Sequence, residues 1–439
     1  MTGRDAHFEL NLVRHRGRLH IGVRETESPL TYRMIHRSIS AGGQVGPSHT
    51  VAQGFQYLGY YPAFYTGFGS LLMNFGAKVD GDGYSNSHMM QAISADNGET
   101  WGAPTDSQVT DGPGKSPSEM DGTTVTTGGW YFVWEGTLCI CVQRDNVPDS
   151  DHTNFNDTGG NNIDPSIGFD SASGKVWVVY LIFGGENPGL YVREVDTTTA
   201  EPAGGSILLP GSFNTFEGER LISFQNGHVP MAARSQGGLF VAYRNGYPST
   251  NRVRLWRVGA PGFTTVASGT AIGEVAIAAD PNGRMWAVWA SRSRIFGRRS
   301  NESVSQWGKT VSVADPRGSV GIATLQADAQ ARVVDVLAAS QRVENPGSFH
   351  TQLEPGITFD ASPRRFRGAV RVRFETKDAG DPLANTRITV AGESCTTNSN
   401  GVCSIPLGPY DERKRLRAKA ERSDFTPAKL TLRARPPRR

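Results

Sequence analysis

One unit recurs along most of the chain: an apolar strand, a polar turn ending in glycine, and a second apolar strand. Clear copies are Gly168-Phe-Asp-Ser-Ala-Ser-Gly-Lys-Val-Trp-Val-Val-Tyr180, Ala278-Ala-Asp-Pro-Asn-Gly-Arg-Met-Trp-Ala-Val-Trp289 and Ala232-Ala-Arg-Ser-Gln-Gly-Gly-Leu-Phe-Val-Ala-Tyr243. Looser copies turn at Gly17, Gly128 and Ala331, and Gly69-Ser-Leu-Leu-Met-Asn-Phe75 reads as the second strand of another. The turns fall near 17, 69, 128, 174, 238, 283 and 331, spaced by about 45 to 64 residues.

That spacing matches a four-stranded propeller blade with variable loops, so an all-β propeller of seven blades is expected, with six as the alternative. Ser94-Ala-Asp96-Asn-Gly98-Glu-Thr-Trp101 adds a local motif, S-x-D-x-G-x-x-W. Ser94 and Asp96 can bond backbone N–H groups across a tight turn, Gly98 supplies a positive φ, and Trp101 packs beneath. These positions resemble the Asp box of sialidase-like (BNR-repeat) β-propellers, whose true sialidases have six blades. Ser300-Asn-Glu302-Ser-Val304-Ser-Gln-Trp307 keeps the Ser and Trp at the same spacing, with Glu302 in place of the Asp and Val304 in place of the Gly.

The propeller is expected to span 1–362. Beyond it, Ala369-Val-Arg-Val-Arg-Phe374 alternates like an exposed strand, and Gly380–Gly392 and Thr396–Leu407 follow with strand and turn signals. These pieces resemble the small prealbumin-like or Ig-like β-sandwiches of many extracellular and viral proteins, which places a second domain at 363–439. Charge divides along the same line: residues 361–439 carry a net +10 and the preceding chain −7. An acidic body with a basic end suggests two different partners.

Fifty-two glycines and 25 prolines suit a turn-rich β protein. No unbroken apolar run approaches the ~18 residues of a membrane span, and the first thirty residues lack a signal peptide's apolar core. Cys139 and Cys141 read as neighbours on one face of one strand, a geometry that disfavours a bond between them. Cys395 and Cys403 flank the turn Thr396–Gly401 and could face each other across a hairpin.

Likeness to sialidases would imply three arginines clamping a carboxylate, a Tyr–Glu nucleophile pair and an Asp acid/base. The family's opening Arg-Ile-Pro is missing; Arg244, after a blade strand, and Glu217-Gly-Glu219-Arg220 are the nearest candidates. A polysaccharide lyase would instead need a His or Tyr base beside a carboxylate neutraliser. His49, His88, His152 and His228 fall in expected loops and read as exposed. Seven aromatics crowd Phe55–Phe68, so Tyr57, Tyr60, Tyr61 and Tyr65 are candidates for stacking on a sugar or anchoring a receptor. Lys78–Asn86 is acidic and glycine-rich, but Gln91 stands where a calcium loop needs Glu. No cofactor or metal is expected.

The resulting expectation is a non-catalytic recognition protein. It would bind a glycan or cell-surface receptor through propeller loops and dock to other protein subunits, as on a virion, through its basic end; nucleic acid is disfavoured. A sialidase-like glycoside hydrolase or polysaccharide lyase is the enzymatic alternative, and a purely structural virion subunit a third. An extracellular or virion-surface location follows from the resemblances.

Overall fold

The computed structural model describes residues 10–28, 31–59, 62–78, 87–110, 118–126, 129–136, 139–144, 155, 161–183, 187–212, 227–245, 251–316, 318, 321–340 and 347–437. All regular structure among them is strand. Seven antiparallel sheets follow one another along the chain, numbered here 1 to 7, each a meander of three or four strands. Their first strands are Leu10–His15, Ala63–Gly67, Ser118–Thr124, Asn161–Asp170, Met231–Ala233, Ile272–Ala279 and Ile322–Ala329. Each first strand neighbours the next sheet, and Leu10–His15 neighbours Ile322–Ala329, which closes a ring. This is a β-propeller, with the first strands around a central channel. The turns read at Gly17, Gly69, Gly174, Gly238 and Gly283 join first to second strands, and each of these glycines has positive φ.

The core is divided among the seams. Sheets 2 and 3 share Tyr65, Leu72, Phe132 and Trp134; sheets 4 and 5 share Val179, Leu190, Tyr243 and Trp256. Such side chains contribute about 1.5–3 kcal/mol each on burial. Six seams are built this way among the described residues. The closing seam differs, because sheet 7 adds only Leu337 to the buried cluster Leu19, Ile21, Val23, Ile35 and Ile39 of sheet 1. Charge supplements it: the Arg14 guanidinium reaches Asp328 at 2.5 Å and Asp335 at 2.6 Å. Burial works against the Asp335 carboxylate. Hydrogen bonds from His350, Gln330 and Gln352, and the Arg14 charge, nevertheless hold its pKa at about 2.

The Ser94 turn links the third and fourth strands of sheet 2. Gly98 N–H donates to Ser94 Oγ at 2.8 Å, Thr100 N–H to Asp96 Oδ1 at 2.9 Å, and Gly102 N–H to the Ile93 carbonyl at 2.9 Å. The Ser300 turn occupies the same place in sheet 6, where Gly308 N–H donates to the Arg299 carbonyl at 2.8 Å. Val304 there has φ +58° where Gly98 has +86°. Asn301, rather than Glu302, does the work of Asp96: its Oδ1 accepts from the N–H groups of Ser305 and Gln306.

From Thr358 onward the strands form two further sheets. One joins Thr358–Ser362, Val370–Asp378, Asp381–Pro382 and Val402–Leu407; the other joins Arg365–Arg367, Ala428–Arg435, Lys414–Glu421, Arg387–Val390 and Glu393–Thr396. They enclose one core around Val372, Phe374, Ile388 and Leu432. Cys395 and Cys403 are disulfide-bonded with Cα atoms 6.1 Å apart, but from different sheets, so the bond ties the two layers rather than a hairpin. Arg299 and Arg284 fasten this unit to sheet 6 through Asp378 and Asp381.

Cys139 corrects the sequence expectation. It lies in the turn after Trp130–Glu135, bonded to Gly136, and not in the strand Ile140–Arg144. The bend brings its Cα within 5.5 Å of that of Cys141, and the two form a disulfide.

Candidate functional site

The first strands leave a cavity of about 150 Å³ in the channel, lined by Asn11, Asp121, Ser166, His228, Gln326 and apolar neighbours such as Met231 and Ile277. Asp121 lies in Ser118–Thr124 of sheet 3 and accepts from Gly122 N–H at 2.8 Å and from Ile167 N–H of sheet 4 at 3.1 Å. Its carboxyl retains some contact with solvent, but the protein encloses it on most sides. Burial therefore raises its pKa, while the charge of His228 and the backbone bonds act in the opposite direction.

His228 is 7% exposed, and its Nδ1 lies 3.3 Å from the Pro165 carbonyl. The backbone that sets this contact is irregular. The register slips between Ile163 and Ser166, and Asp164 adopts φ +56°, an αL conformation that aspartate tolerates. Asp164 also accepts Val229 N–H at 3.1 Å, fixing the segment that carries His228. A hydrogen bond to the Pro165 carbonyl requires the proton on Nδ1, which leaves Nε2 on the opposite edge of the ring. Asn11 is held by its own amide, which donates to the Pro62 carbonyl at 2.9 Å.

A second constellation crosses sheet 1. His20 Nδ1 and His36 Nε2 are 2.9 Å apart, with rings nearly parallel at 5.2 Å. Both are buried. The His36 ring lies 5.4 Å from Trp101 and presses on Gly98, where an added Cβ would lie 2.3 Å from its Cε1. Burial, then neighbouring positive charge, lowers the His36 pKa to about 3; burial is also the main cause that lowers His20 to about 4.

The sequence candidates are scattered. Arg244 is buried and paired to Glu274 at 2.8 Å, across sheets 5 and 6. Tyr65 is a core residue, 2% exposed, with its hydroxyl donating to Asn74 at 2.8 Å, so its ring is not offered to a ligand. Tyr57 is half-buried, while Tyr60 and Tyr61 lie outside the described residues, as do Glu217, Glu219, Arg220, His152 and 79–86. Ser94, Asp96, Gly98 and Trp101 form the turn described above. Of the histidines read as exposed loops, His49 lies in the strand Val45–Phe55 and His88 in Ser87–Ser94 beside Asp106 at 2.8 Å, while His228 is in a loop as read but is buried at the channel. Asn11, Asp121, Ser166 and Gln326 were not singled out. They share no sequence signal: Asp121 lies in the polar strand Ser-Glu-Met-Asp-Gly-Thr-Thr, whereas Gln326 interrupts the more apolar Ile322–Ala329.

No protein-family model and no curated protein matches the sequence. Solved structures do. Polysaccharide lyase Uly1 is similar at 9% identity and TM-score 0.47, over 78% of this chain and 88% of that one. The α-L-arabinofuranosidase Arb93A of Fusarium graminearum is similar at 12% and 0.42, over 79% and 92%, and the Dos1 propeller at 10% and 0.44, over 79% and 82%. Arabinan-cleaving enzymes recur among these structures, beside the one polysaccharide lyase. The non-catalytic recognition reading is corrected by this finding: the similar structures are mostly carbohydrate-active enzymes.

Proposed function

We propose that the chain is a carbohydrate-active enzyme that works at the central channel and cleaves an acidic polysaccharide by β-elimination. The observation that carries this reading is His228 and Asp121 lining one cavity together with the neutral amides of Asn11 and Gln326. His228 Nε2 would take the proton α to a uronate carboxylate. The C–H pair becomes the new C=C bond as the glycosidic C–O bond breaks, and the imidazolium returns its proton to the departing oxygen. Asn11 and Gln326 can hydrogen-bond the carboxylate as it gains enolate character, beside Asp121, whose pKa burial raises. The cavity is below the ~300–1,000 Å³ of drug-sized pockets, a scale suited to one sugar ring.

Hydrolysis is the second reading. It calls for two carboxyl groups about 5–10 Å apart, whereas Asp121 is the one carboxylate among the described residues lining the cavity, and no arginine is among them. We further propose two domains that meet near residue 357 rather than at 362/363, because Thr358–Ser362 pairs with Val370–Asp378 in the C-terminal unit, with the Ser94 turn serving the architecture as its resemblance to an Asp box implies.

The test is incubation with uronate polymers, following the ultraviolet absorbance of unsaturated chain ends. His228→Ala should lower turnover by about 10²–10⁴ while thermal unfolding stays near wild type. New reducing ends without unsaturation would overturn elimination in favour of hydrolysis.

A further inference from the structure

The five-stranded C-terminal sheet turns a basic face outward. Its buried side carries Phe366, Leu416, Ala418, Leu432 and Ala434. The alternate residues are exposed, and the register stacks them by charge: Arg365 lies beside Arg433, and Arg433 beside Arg415, across three neighbouring strands. Arg367 pairs with Arg435 in the next row. Further along, Lys419 lies opposite Lys429, beyond Arg417.

Like charges directly opposite in a sheet cost stability, yet these arginines have no carboxylate to relieve them. Among the described residues, ion pairs occur for Arg364, Arg373, Lys377 and Lys419, but for none of Arg365, Arg367, Arg415, Arg417, Arg433 and Arg435. A row of unpaired arginines on strands about 4.8 Å apart, at alternate positions about 7 Å apart along each strand, is a ladder for a linear polyanion.

We propose that this face binds an acidic polysaccharide chain, holding the polymer on which the channel acts; the polymer's identity as substrate rests on the elimination reading above. The chemistry between the cations decides the class of partner. Thr389, Ser394, Thr396 and Thr431 share the face, with no aromatic residue among them. Single-stranded nucleic acid is gripped largely by aromatic stacking, and protein interfaces centre on aromatic and apolar anchors. A carboxylated or sulfated glycan needs neither. It needs planar forks that grip each anionic group through two bonds, which arginine supplies better than lysine.

The experiment is equilibrium binding of the full chain to polygalacturonate, a sulfated dextran, neutral dextran and single-stranded DNA at several salt concentrations. Binding to the two acidic glycans should weaken steeply with salt, neutral dextran should not bind, and DNA should bind more weakly than either. Arg365→Gln/Arg415→Gln/Arg433→Gln should weaken glycan binding roughly 3- to 100-fold. Its unfolding temperature should hold or rise, because the repulsion is relieved. Wild-type binding by the triple variant overturns the proposal, as does tighter binding to DNA or to neutral dextran. Salt-dependent glycan binding without cleavage leaves this surface standing and sinks the elimination reading; cleavage with unaltered binding by the triple variant does the reverse.

Discussion

Mild acid should unlatch sheet 1. His20 and His36 touch, both are buried, and their folded pKa values are about 4 and about 3 against an ordinary 6.5. Because both are depressed, the unfolded chain binds more protons between those values and 6.5. The stability contribution is therefore complete above pH 6.5 and is lost progressively as pH falls from there to the folded values. At about pH 5 the unfolded imidazoles are nearly all protonated and the folded ones are not, which costs about 2 kcal/mol each. Allowing for solvent screening, the pair should lose about 2–4 kcal/mol between about pH 7.5 and 5. Burial raises Asp121, Asp328 and Asp378, whose contributions run the other way, so the informative quantity is a difference between proteins. The assay is urea denaturation at both pH values for wild type and His20→Gln/His36→Gln, followed by the emission of the eight tryptophans, of which Trp101 lies against His36. The double variant should lose less stability by that 2–4 kcal/mol. Equal losses in the two proteins would refute the reasoning.

Arg14→Ala should destabilise the ring by about 3–5 kcal/mol, because it leaves the Asp335 carboxylate buried with less compensation; thermal denaturation and limited proteolysis at the seam between sheets 1 and 7 would show it. Ser94→Ala strands the Gly98 N–H and should cost about 1–3 kcal/mol, measurable as a lower unfolding midpoint. Replacing Cys395 and Cys403 by serine opens a nine-residue loop and should destabilise the C-terminal unit by about 2.5 kcal/mol, a loss absent when wild type is assayed under reducing conditions.

The architecture was legible because its signals are local. Gly17, Gly69, Gly174 and Gly283 mark turns that need positive φ, and the strands beside them are apolar because both faces meet neighbouring sheets. The site was not. Asp121 and His228 are 107 positions apart, in segments without a common motif, and only ring closure sets them around one cavity. Tyr65 misled for a related reason: an aromatic-rich segment looks the same whether it faces solvent or a seam. Glu302 was aligned to Asp96 by position, yet the shorter Asn301 reaches the turn amides.

The Arg14 contacts also constrain how the molecule is made. They join residues 314 and 321 positions apart, the longest loops in the ring. Six seams connect sheets adjacent in sequence and can form as each new sheet leaves the ribosome. The seventh must wait until Asp335 has been synthesised, while sheet 1 holds Leu19, Ile21 and Val23 uncovered. A nascent chain stalled before sheet 7 therefore presents an apolar sheet with no partner, and chaperone capture should concentrate there.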